Sequence, residues 1–219
     1  MAETESKKIG VITGSTRTVR IGPEVAKFVT GILETELSTT AGGKTAHFNL
    51  SQVDIATFNL PVFDEAVHPA QVPIAAQFAH AHSKAWSAEI AKYDGYVLVT
   101  ACYNGGPPGG VKNAIDYLYN EIRGKPWLII SYGIMGGYQA SDSLKMSLET
   151  MYTHVVETRP TLSFAKNEPF EFGLPLDMRL AGAGKLGDQS LKGWQENKAD
   201  ITKGFEELKE YLMREKTSV

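Results

Sequence analysis

Between Gly14 and Gly22 the chain reads GSTRTVRIG, which sets the hydroxyls of Ser15, Thr16 and Thr18 beside the guanidinium groups of Arg17 and Arg20. No carboxylate interrupts the stretch. Hydroxyl donors and cations in a glycine-bounded turn suit an oxyanion, and arginine adds a forked, charge-assisted contact to phosphate. A helix opening at Pro23 would aim its unpaired N–H groups at the same ligand. The bland alternative is a strand-to-helix turn with solvated arginines. A second glycine-rich loop, CYNGGPPGG over 102–110, offers Tyr103 as a flat surface. Asn104 and the N–H groups of Gly105 and Gly106 are its candidate donors to ring heteroatoms. A third, GIMGG over 133–137, lets backbone N–H groups come close to a ligand, because Gly133, Gly136 and Gly137 carry no side chains. Taken singly, the second also reads as a structural loop and the third as a tight turn.

Other chemistries are poorly served. Neither G-x-G-x-x-G nor G-x-x-x-x-G-K-[ST] occurs, and no G-x-S-x-G elbow is found. His80 and His82 stand two apart on an expected helix, hence on different faces, and do not read as a metal pair. Cys102 is the only cysteine, so no intrachain disulfide forms and a reducing, cytoplasmic compartment is expected. With no histidine or second cysteine beside it, its thiol reads as a passive wall. Trp86, Trp127 and Trp194 read as core or interface residues.

The loops take their meaning from the elements that precede them. Apolar runs at Lys7–Thr13, Gly95–Ala101 and Pro126–Tyr132 read as buried strands, and each runs straight into one of the three loops. Thr45–Leu50 reads as a further strand, and a fifth lies within 154–164. Helical spacing of apolar residues predicts helices over about 23–37, from Pro73 onward through Ile74, Phe78, Ala81 and Ala85, after Val111, through Leu144–Met151, and over 188–214. Residues 1–7 read as a frayed tail and 165–187 as an irregular loop. Strands alternating with helices imply a three-layer α/β sandwich on a five-stranded parallel sheet, in order 2-1-3-4-5. In that order the three loops line one crevice at the switch point, where open parallel sheets bind ligands.

The 219 residues are expected to form a single domain, and 42% hydrophobic with 21% charged residues is ordinary globular composition. A net charge of −3 argues against a nucleic-acid binder that works by bulk basic charge. No apolar run approaches the ~18 residues of a membrane span.

The segments VITGSTR, YNGGPPGGVKNAIDYLY and SYGIMGG resemble the NADPH-dependent FMN reductases, a flavodoxin-like family that includes quinone and azo-dye reductases. The likeness runs over about residues 7–165. It implies non-covalent FMN, with Ser15 and Arg17 on the phosphate and Arg20 as a helper. By the same motif positions, Cys102, Tyr103, Asn104 and Gly105 border the flavin ring, and Tyr132, Gly133, Gly136 and Gly137 its pyrimidine side. The N–H groups of Gly136 and Gly137 are the candidates to face the negative charge of the reduced ring. Lys112, Asn113 and Asp116 belong to the signature and read as helix-start and packing residues. The family commonly has Pro then Glu or Gln before the Tyr-Asn pair, where this chain has Ala101 and Cys102. The resemblance further implies an enzyme that takes a hydride from NADPH and passes electrons through the flavin to a small-molecule acceptor such as a quinone. It also implies a homodimer and no dedicated catalytic acid or base. The competing readings are a flavodoxin-type electron carrier and a flavin-loaded redox-sensing interaction protein. The arginines of the first loop and the modest net charge disfavour the carrier.

Overall fold

A computed structural model describes residues 4–41, 44–73, 77–165 and 176–214. In chain order the elements are β1 (Thr4–Thr13), α1 (Gly22–Leu33), β2 (Ser38–Ala41), β3 (Lys44–Asp54), α2 (Ala81–Ile90), β4 (Gly95–Ala101) and α3 (Gly109–Asp116). There follow β5 (Pro126–Gly133), α4 (Tyr138–Thr150), β6 (His154–Val155), β7 (Thr161–Ser163), α5 (Leu176–Gly182), α6 (Asp188–Trp194) and α7 (Lys198–Met213).

The sheet runs β2-β3-β1-β4-β5-β6, with β7 also on β5. Every pair is parallel except β2 with β3. The expected parallel order is therefore present, with β3, β1, β4 and β5 as its first four strands, and an antiparallel edge strand lies outside it. Where one fifth strand is expected within 154–164, two short ones form. β6 pairs with Pro126 and Trp127, and β7 pairs with Ser131–Gly133.

Every residue of β4 and β5 is buried, which is why their sequences read as continuous apolar runs rather than alternating ones. Val11, Val97, Val99, Leu128 and Ile130 pack on one face against Val25 and Val29 of α1 and Phe205 and Leu208 of α7. Ile12, Leu98 and Ile129 pack on the other against Trp86, Ile115, Leu144 and Leu148. Each such side chain, fully buried, contributes about 1.5–3 kcal/mol. The three tryptophans are core residues, with Trp86 Nε1 donating to Ala114 O at 2.8 Å and Trp194 Nε1 to Ser163 O at 2.6 Å.

Several expectations need correction. The described part of the N-terminal tail is strand, because Thr4–Lys8 pair with Thr45–Asn49 ahead of the start of β4, where β3 also pairs with β2 and polar side chains are tolerated. The first α-helix ends at Leu33, and a 3-10 turn over Glu34–Glu36 completes the expected span. The helix expected from Pro73 begins at Ala81, since the Glu65 carboxylate accepts the N–H groups of Ala79 and His80, both at 2.9 Å, and holds them outside it. Ile74 lies outside the described residues. His80 consequently precedes the helix, and its ring stacks on that of His82 at 5.2 Å instead of facing away. Part of the expected loop 165–187 is helix α5, and the single C-terminal helix is two, α6 and α7, joined by a 3-10 turn at Gln195–Asn197. Residues 166–175 of that loop lie outside the described residues.

Candidate functional site

β1, β4 and β5 end at Thr13, Ala101 and Gly133 on one edge of the sheet, and the three glycine-rich loops converge there around a cavity of about 570 Å³. Arg17, Arg20, Cys102, Tyr103, Asn104, Gly105, Tyr132, Gly133 and Gly137 line it. Ser15 and Gly136 lie behind the lining.

Glycine lets the first loop lie flat. A Cβ at Gly14 would come within 2.7 Å of Val111 Cγ2, and one at Gly22 would overlap Ser15 Oγ. Arg20 is committed to holding this loop. Its guanidinium donates twice to Asp54, at 3.1 and 2.6 Å, and once to the Ser15 carbonyl at 2.9 Å. Its charge is thereby neutralised, so it braces the loop more than it attracts an anion. Arg17 lies over the Tyr103 ring at 3.6 Å and ties the first loop to the second. Ser15 Oγ is buried and has no partner of hydrogen-bond geometry among the described residues.

The second loop is a tight hairpin turn. Tyr103 N–H donates to Gly106 O at 2.8 Å and Gly106 N–H to Tyr103 O at 3.1 Å. Asn104 and Gly105, with φ of 52° and 78°, take the two left-handed positions that a primed turn requires. The Gly106 N–H, expected to be available to a ligand, is spent inside the turn. Burial raises the Tyr103 phenol, and the charges of Arg17 and Arg20 work against that rise.

In the third loop the Gly136 N–H, a candidate donor to the reduced ring, donates instead to Gly133 O at 3.1 Å. Ser131 Oγ holds the Gly136 carbonyl at 2.8 Å. Gly137, at the start of α4 with φ of 80°, is left as the backbone donor on the lining. The Cys102 thiol has Gln139 Oε1 at 3.9 Å as its polar contact. Lys112 pairs with Asp116 at 2.6 Å, and Asn113 holds the loop ahead of it by accepting Phe63 N–H and donating to Pro61 O. These are the expected packing roles.

Sequence reasoning missed one wall. Phe164, with Met178, Ala181 and Gly182 of α5, also lines the cavity. Asp177 fixes α5 in place. It is 2% exposed and accepts Ser190 N–H of α6 at 2.5 Å. Gly184, just after α5, comes so close to the first loop that a Cβ there would lie 3.2 Å from Val19 Cγ1. No local motif marks these residues, because they reach the cavity only through the packing of α5 on α6.

A three-layer parallel α/β sandwich with an anion-suited loop and two close-approach loops at its switch point defines a flavodoxin-like mononucleotide-binding protein. Residues 7–167 match the model of the NADPH-dependent FMN reductases, and the chain belongs to that family. It is 43% identical over 212 residues to the NAD(P)H-dependent FMN reductase ntnL of Nectria sp., covering 95% of this chain and 98% of that one. It is 34% identical to the NAD(P)H-dependent FMN reductase LOT6 of Saccharomyces cerevisiae, over 68% of this chain and 77% of the other. The Escherichia coli K12 quinone reductase is 32% identical over 65% of this chain and 71% of its own. Among solved structures, the flavoenzyme FerB of Paracoccus denitrificans superimposes with a TM-score of 0.58 at 20% identity, covering 94% of this chain and 98% of that one. At that identity the likeness concerns the fold.

The residues present fit FMN. A phosphate dianion suits the end of the cavity that holds Arg17, the opening of α1 and the orphaned Ser15 hydroxyl. A flat ring suits the walls made by Tyr103, Phe164 and the backbone of Gly133 and Gly137.

Proposed function

We propose that this chain is an FMN-dependent NAD(P)H oxidoreductase whose electrons go to a small-molecule acceptor, a quinone being the first choice. The convergence of the three loops on one cavity, with cationic and hydroxyl groups at one end and flat walls at the other, carries the reading. When bound, FMN supplies the redox chemistry, accepting a hydride from NAD(P)H and yielding two electrons to the acceptor.

The chain's own residues bind, orient and exclude water. Arg17 holds the phosphate, and Arg20, locked on Asp54, keeps the first loop in the shape that lets it do so. Cys102, Tyr103, Asn104 and Gly105 wall the ring. The Gly137 N–H is the fixed donor beside developing negative charge, where a preorganised dipole is most effective. Ile134, Met135 and Tyr138 are 46%, 58% and 46% exposed at the rim, and a second copy of the chain is the proposed cover for them. We read the 219 residues as one FMN-binding unit of the reducing cytoplasm. No described helix is long and apolar enough to cross a membrane.

The test is optical. The purified protein should show flavin absorption bands, and anaerobic NADPH alone should bleach them at a rate no slower than kcat. An electron carrier or a redox sensor would keep its colour until a separate reductase was added, and that outcome would displace the reductase reading.

A further inference from the structure

Strand geometry sends adjacent side chains of β5 to opposite faces of the sheet. Ser131 points toward α4, where its Oγ donates to Gly136 O. Tyr132 must therefore point to the α1 side, although its backbone leads into the third loop. Its hydroxyl reaches the opening of α1, where a Cβ at Gly22 would come within 3.1 Å of it. Tyr132 is 4% exposed and lines the cavity, and its hydroxyl stands beside the Ser15 side chain. Ser15 Oγ is fully buried and has no partner of hydrogen-bond geometry among the described residues.

A buried hydroxyl without a partner is costly, about 1–3 kcal/mol, unless a ligand satisfies it. The Ser15 hydroxyl is such a group, and with the Tyr132 hydroxyl it stands at the opening of a 12-residue helix whose dipole favours an anion. The nearby charges are the Arg17 and Arg20 guanidinium groups and Asp54, and Arg20 neutralises Asp54. We propose that Tyr132 is a positioning residue for a phosphate monoester, its O–H donating to a phosphate oxygen at the opening of α1 while Ser15 Oγ steadies the phenol from behind. Burial pushes the phenol well above its usual range, only partly offset by Ser15 and the two arginines, so it remains a donor at neutral pH. The likeness to the family places Tyr132 on the pyrimidine side. The alternation of β5 instead directs its hydroxyl to the phosphate end.

The proposal rests on the reading that the cavity takes FMN, and three ligands separate the two. Apoprotein is titrated with FMN and with riboflavin by flavin fluorescence quenching, and inorganic phosphate is scored by the shift in Tm. Tyr132→Phe should weaken FMN about tenfold or more and leave riboflavin within about twofold, because only the phosphate loses a charge-assisted partner. It should also shrink the Tm gain from phosphate. Retained riboflavin binding would show that the variant is folded. Ser15→Ala should give the same selective loss in smaller measure. An equal loss of both flavins, or no loss of either, overturns the assignment. If wild-type apoprotein binds neither flavin yet gains Tm from phosphate through Tyr132, the FMN reading fails and the phosphate seat stands.

Discussion

Arg17 and Arg20 share a loop and a charge, but the pairing of Arg20 with Asp54 gives them different consequences when lost. Arg17→Ala should weaken FMN by about 1.5–3 kcal/mol, the range for a hydrogen bond to a charged group, and should barely change riboflavin. Arg20→Ala should loosen the loop and weaken both ligands, so the pair of titrations tells an anion contact from a brace. The thiol makes a separate case. Among the described residues the Cys102 thiol has Gln139 Oε1 at 3.9 Å for polar company, so Cys102→Ala should hold turnover within about threefold, under ~0.7 kcal/mol of barrier. A loss of a hundredfold with FMN still bound would give the thiol a chemical role. At this scale, residue type and spacing alone make the arginines, the hydroxyls and the glycine loops legible. Which N–H groups are free is not legible in the same way. Gly106 and Gly136 satisfy carbonyls within their own turns, and such closure depends on backbone angles that a string of glycines does not specify.

Among the elements, the start of α2 shows most plainly what local pattern leaves out. Helical spacing runs back to Pro73, but Glu65 caps Ala79 and His80 from a distant loop and moves the start to Ala81. The same displacement brings His80 and His82 together beside Asp64, with His82 Nε2 at 3.0 Å and His80 Nε2 at 3.9 Å. Burial alone would raise the Glu65 carboxyl above its ordinary 4.5, and hydrogen bonding to the carboxylate, the two backbone N–H groups included, outweighs burial and holds it lower. The folded chain therefore takes up this proton less readily than the unfolded one. The stabilisation is complete above about pH 4.5 and is lost as pH falls through the lower folded value. Glu65→Gln should cost about 1–3 kcal/mol in urea unfolding near neutral pH, from weakened and unmade hydrogen bonds. The gap to wild type should narrow in acid. An unchanged gap at low pH would show that the carboxylate's charge is not what stabilises this corner. Strands were easier to read than helix starts, because β4 and β5 announce two-sided burial in unbroken apolar runs.

At the scale of the whole molecule, the proposed function has the crevice at the three loops serve donor and acceptor in turn. Steady-state rates with NADPH and a benzoquinone should give parallel double-reciprocal lines, and high quinone should compete with NADPH. Intersecting lines would require both to be bound together, and a second entry to the cavity. The sheet order was legible because strand-then-glycine-loop occurs three times and one topology gathers all three loops. The C-terminal third was not, because α5 reaches the cavity through Asp177 and α6 rather than through any pattern of its own. The family model's match ends at residue 167 and α5 begins at Leu176, so Met178, Ala181 and Gly182 add to the wall begun by Phe164 from outside that span. On the FMN reading, recognition would then fall to the three loops and part of the closing wall to α5. Changes in 176–190 can alter the residence time of the cofactor, and with it the balance between a permanently loaded enzyme and one that exchanges flavin with its surroundings, while every loop that recognises the flavin stays the same.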